Sequence, residues 1–148
     1  MIERIKQTIF RQFNPEEKKG IFFSWFDAAQ TVVFSEGVVN TDTPLREVIE
    51  TVYTWFVQKR LDEIRYLVAD VISEVIELGN QEEVLKMSPK EFWFIVVDTE
   101  DNKTGVMLPN TSGVDDVKTV LYNIKQKYGI HGKVEIFVFR TERFIVAK

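Results

Sequence analysis

Chemistry near neutral pH draws first on histidine, on cysteine and on carboxylates in unusual surroundings, and this chain offers few of them. It carries one histidine, His131, between Ile130 and Gly132, and no cysteine at all. A centre built on several histidines, zinc–thiolate and iron–sulfur sites and thiol nucleophiles are all excluded. His131 follows a predicted helix end and reads as a surface turn residue. Ser24, Ser35, Ser73, Ser88 and Ser112 lack a Gly-x-Ser-x-Gly elbow and share that single imidazole as a base, so a serine triad is not expected. Gly37 and Gly113 stand alone, which gives neither a Walker loop nor a dinucleotide fingerprint.

The acidic turn Asp98, Glu100 and Asp101 has oxygen donors but not the twelve-residue spacing of an EF-hand, and it reads as a solvated hairpin tip. Asp115-Asp116 opens a helix, where carboxylates suit the dipole. Formal net charge is −4, which opposes polyanion binding by the whole molecule. Lys118, Lys125, Lys127 and Lys133 could form a weak nucleic-acid surface, and Phe137, Phe139 and Arg140 come nearest to a base-stacking platform. Both features read more simply as a solvated face and as core.

The elements that must position these groups follow from patterning. Ile2, Ile5, Ile9 and Phe13 make a helical stripe that stops at Asn14-Pro15. Ile21–Phe26 is apolar at both parities, as a strand covered on both faces is, and is placed centrally in a sheet; Thr31–Phe34 reads as a second strand ending in a turn-rich loop from Ser35 to Asp42. Thr43 is placed to cap, Pro44 to open, and Leu45, Val48, Ile49, Val52, Trp55 and Phe56 to face the core of a helix. Trp25, Trp55 and Trp93 are all expected on apolar faces.

From Leu67 to Leu78 the chain looks strand-like in its later part, although Ile64, Leu67 and Val68 also share helical spacing. Gly79-Asn80 ends that segment, and a short helical or irregular piece with Val84, Leu85 and Met87 follows. Phe92–Val97, a polar turn from Asp98 to Lys103, and Gly105–Leu108 make a hairpin. Val114, Val117, Leu121 and Ile124 stripe a helix ending near Gly129, with a weak cap over Ser112–Asp115, and Val134–Arg140 is a last strand. The fold class expected is α+β: one compact domain over 1–148, a mixed or antiparallel sheet and about three main helices.

The start Met1-Ile2-Glu3-Arg4-Ile5-Lys6 has no secretion-signal pattern, and the apolar runs fall far short of the ~20 residues of a membrane helix. A cytoplasmic protein without membrane partners is expected.

Gly37-Val38-Val39-Asn40-Thr41 followed by Pro44-Leu45-Arg46-Glu47-Val48 resembles the Gly-Cys-Ile-Gly-Thr … Pro-Leu-x-x-Ala-Val segment of AMMECR-type domains. Gly105-Val106-Met107-Leu108-Pro109 is similar to their Gly-Leu-Leu-Leu-Pro segment, and Gly20-Ile21-Phe22-Phe23 to the strand before the first motif. Order and approximate spacing agree over most of the chain. Val38 stands at the family cysteine, Glu36 at its arginine and Asn40 at its second glycine. The resemblance implies two lobes, no established activity, and Memo-like and radical-SAM proteins as partners in a modification pathway.

The candidate ligand-binding residues are Glu36, Gly37, Asn40 and Thr41 with Asn110 and Thr111. Gly37 would allow close backbone approach, the helix start after Thr43 would offer N–H groups to an anion or carbonyl, and the Asn and Thr side chains would add neutral donors and acceptors. Turn and cap chemistry accounts for the same residues. No catalytic residue, cofactor or metal is assigned, and a non-catalytic accessory or binding domain is the leading expectation. The alternative is a hydrolase or lyase with Glu36 as its base.

Overall fold

Ile21–Phe26 (β1) has no polar parity because both of its faces are covered: Ile21 and Phe23 on one and Phe22 and Ser24 on the other are all buried. It pairs antiparallel with Val32–Val38 (β2), Phe22 opposite Gly37 and Ser24 opposite Ser35, and antiparallel with Tyr66–Ile76 (β3), Phe22 opposite Asp70. Trp93–Asp98 (β4) likewise pairs antiparallel with Lys103–Met107 (β5) and with Val134–Ala147 (β6). The six strands form one sheet in the order β2-β1-β3-β6-β4-β5, and with its helices the fold is α+β. The coordinates are a computed structural model that describes residues 1–26, 29, 32–39, 41–76 and 81–147. Thr31, Asn40 and the expected break at Gly79-Asn80 lie outside the described residues.

The chain divides into two compact units, Met1–Ser73 with Thr141–Lys148, and Glu74–Arg140. In the first, Ile2–Ile9 (α1) and Leu45–Val52 (α2) cover one face of the strands. Ile5, Ile9, Leu45, Val48, Ile49 and Val52 meet Ile21, Phe23, Leu67, Ala69, Val71, Phe144 and Val146 in one apolar cluster. The alternation Leu67, Ala69, Val71 settles the ambiguous segment as strand, since only period two puts all three on one face.

In the second unit, Gln81–Leu85 (α3) and Val117–Tyr128 (α4) accompany β4, β5 and the first part of β6. Val117, Val120 and Ile124 pack with Phe94, Val96 and Val138. The cap of α4 is Asp116 and not the expected Ser112–Asp115 stretch: its carboxylate accepts the Thr119 N–H at 2.8 Å, and that bond holds the carboxyl below its ordinary pKa. Gly129 ends the helix in the left-handed conformation, φ 65°.

Two expectations are corrected around α2. Pro44 is the residue before the helix, at φ −59° and ψ 147°, and no side chain caps it; Thr43 instead donates its own N–H to Thr41 Oγ1 at 3.0 Å. Beyond Val52 the helix widens into a π turn, Tyr53–Val57, followed by a tight turn over Gln58–Arg60. The wider turn shifts the phase of the stripe, so Tyr53 and Val57 face inward while Trp55 is left 58% exposed.

Candidate functional site

The loop-based site does not have the form its residues suggested. Strand β2 continues to Val38, so Glu36 and Gly37 are edge-strand residues opposite Phe23 and Phe22 and not loop residues. A Cβ at Gly37 would land on the Ile21 carbonyl oxygen, which makes the glycine a condition of β1–β2 pairing. Glu36 is exposed, so the enclosed setting on which its role as a base rested is not provided. The start of α2 is not open to an anion either: the Leu45 N–H donates to the Glu17 carbonyl at 2.8 Å and the Arg46 N–H to the Pro15 carbonyl at 3.0 Å. Pro44 has no N–H to offer.

Asn110 and Thr111 belong to the second unit, whereas Glu36, Gly37 and Thr41 belong to the first. The Asn110 N–H donates to the Pro89 carbonyl at 2.9 Å with the residue at φ 58°, and Thr111 Oγ1 donates to the Leu108 carbonyl at 2.8 Å. These are turn contacts. His131 is exposed, and Phe139 is buried in a 5.4 Å stack with Trp93 and is no platform for bases.

A different constellation stands on the sheet face of the first unit that α1 and α2 do not cover. Asp70 lies between Val68 and Ile72 on that face of β3, and all three are buried. Thr141 and Arg143, two apart on β6, both reach it. Thr141 Oγ1 donates to Asp70 Oδ1 at 2.9 Å, Arg143 Nε donates to Oδ1 at 3.0 Å, and Arg143 Nη2 donates to Oδ2 at 3.2 Å. Burial pushes the Asp70 carboxyl above its ordinary pKa, and the Arg143 guanidinium and the Thr141 hydroxyl pull it part of the way back.

Neighbouring positions extend the polar inset. Ser24 and Ser35 share a 2.9 Å hydroxyl–hydroxyl bond, and Ser24 lies two positions from Phe22, the residue opposite Asp70. Arg143 stands 6.0 Å from the Phe26 ring centroid with its side chain 41% exposed. A guanidinium has five N–H groups, and two are committed to Asp70. The others have no hydrogen-bond partner among the described residues, so Asp70 fixes a cation whose outer edge is presented to solvent.

Sequence reasoning passed over this centre, although one signal was there: an aspartate inside the apolar run Leu67–Ile72 has to be paired wherever that run is buried.

Fold and site together define an α+β protein with an ion-paired polar inset on one sheet face. No protein-family profile and no curated protein matches the chain. Among solved structures it is similar to the uncharacterized protein PH0010 from Pyrococcus horikoshii: 20% identity, TM-score 0.63, over 97% of this chain and 86% of that one. That likeness concerns the fold. No described helix is long and apolar enough to cross a membrane.

Proposed function

We propose that this chain is a non-catalytic binding domain of AMMECR type that holds a small carboxylate- or phosphate-bearing ligand at the outer edge of Arg143. The observation that carries the reading is the geometry of that side chain. Asp70, itself held by the Thr141 hydroxyl, fixes its orientation, and the N–H groups it leaves over belong to a planar, partly exposed donor set that suits a two-oxygen acceptor. The segments Gly37–Thr41 and Gly105–Pro109 support the AMMECR assignment, and through it an accessory part in a cytoplasmic modification pathway with Memo-like and radical-SAM partners. The poverty of the chain in histidine and cysteine favours binding over catalysis.

A thermal-shift screen of small carboxylates and phosphates tests the reading. A ligand at a hundred times its Kd stabilises the folded state by about 2.7 kcal/mol, a shift of several degrees. The stabilisation should vanish in Arg143→Gln. No stabilising compound, or one that acts equally on the variant, would refute the assignment.

A further inference from the structure

The second unit buries one polar atom that its own fold leaves unmatched. Of the acidic turn expected to be solvated only Glu100 and Asp101 are exposed, and Asp98 ends β4 with 0% exposure. Its Oδ1 accepts the backbone N–H groups of Glu100 at 3.0 Å and Asp101 at 3.2 Å, so the β4–β5 turn fixes the carboxylate. Its Oδ2 has no hydrogen-bond partner among the described residues, and it is the only buried side-chain nitrogen or oxygen there of which this is true. An unmatched buried carboxylate oxygen asks for a ligand, since leaving such a group unpaired costs about 1–3 kcal/mol or more.

The surroundings of Gly132 say where that ligand sits. The three atoms nearest to the point at which a Cβ of Gly132 would stand, outside the adjoining residues, are all carboxylate oxygens: Glu100 Oε2 at 3.3 Å, Asp98 Oδ1 at 3.6 Å and Asp98 Oδ2 at 3.7 Å. Two carboxylates of the hairpin turn therefore border one space beside Gly132, in the loop before β6. The ammonium of Lys103, at the start of β5, does not fill it: Nζ donates to the Gly129 carbonyl at 2.9 Å. A water molecule would satisfy Oδ2 but would leave two acidic groups bordering the same space.

We propose that Asp98 and Glu100 bind one hard divalent cation of calcium's size in the space beside Gly132, joining the β4–β5 turn to the loop before β6. All the donors are oxygens, as such a cation requires. Calcium tolerates irregular coordination and accepts waters, whereas magnesium demands near-octahedral geometry. The described residues gather no set of three or more acidic or histidine ligands. Two side chains with water and backbone oxygen completing the shell put the affinity in the weak class, about 10⁻⁴–10⁻³ M.

The test is calorimetric titration and thermal unfolding of the chelator-treated full chain with calcium chloride, with magnesium chloride in parallel. The expected result is a saturable calcium signal with one site per chain, weaker for magnesium. It should fall at least about tenfold in Glu100→Gln, an exposed position where the fold is not at stake, and be lost in Asp98→Asn. Absence of a saturable calcium signal overturns the proposal. So does calcium binding that Glu100→Gln leaves unchanged, or a crystal grown in calcium with only water at Oδ2.

Discussion

Asp70 gives the first unit a response to pH in the acid range. A carboxyl whose folded pKa is raised adds stability below its ordinary value near 3.8 and loses it as pH rises through the raised value. Arg143 limits that loss by favouring the carboxylate. Arg143→Gln should therefore destabilise the protein by about 1–3 kcal/mol at neutral pH, below the usual cost of breaking a buried pair because the guanidinium is partly solvated. With the guanidinium gone the folded pKa moves further up, so the penalty should shrink as pH falls toward 4. Denaturant unfolding of both proteins at a series of pH values checks this, and a penalty independent of pH would contradict it.

At the level of elements, periodicity did much of the work and failed where neighbours decide. The hairpin, the central strand β1 and the inward faces of α1, α2 and α4 are all legible in alternation and stripes. The extension of β2 through Ser35-Glu36-Gly37 is not, because an edge strand is polar and a glycine there signals a turn as readily as a close backbone contact. The π turn over Tyr53–Val57 is likewise hidden, since a stripe extrapolated at 3.6 residues puts Trp55 inside. Trp55→Ala should change stability by no more than about 0.5 kcal/mol, whereas Ile49→Ala on the same helix should cost about 2–5 kcal/mol. Thermal or denaturant melts of the two variants separate the two phases. The Asp70 centre was legible only by half: an aspartate in a buried apolar run needs a partner, but the partners lie more than 70 positions away and no local pattern says which residues they are.

On the scale of the molecule, the first unit is discontinuous: its apolar cluster takes Phe144 and Val146 from beyond the whole second unit. Phe13 meets Phe144 edge-on at 6.1 Å, tying the loop after α1 to β6. Phe144→Ala should cost about 3–5 kcal/mol. Amide exchange should show the lost protection concentrated in β1, β3 and α2, with β4 and α4 much less affected. A ribosome makes the same parts in an awkward order. Proteins made vectorially tend to fold their earliest stretch first. Here Asp70 and the helices of the first unit emerge before the residues that complete them, while Glu74–Arg140 is contiguous and can condense while synthesis continues. During that interval the nascent chain carries an acid without its guanidinium and an apolar face without its last strand. The later-made unit can therefore close first, and the earlier-made one depends for that time on whatever keeps its face from other chains.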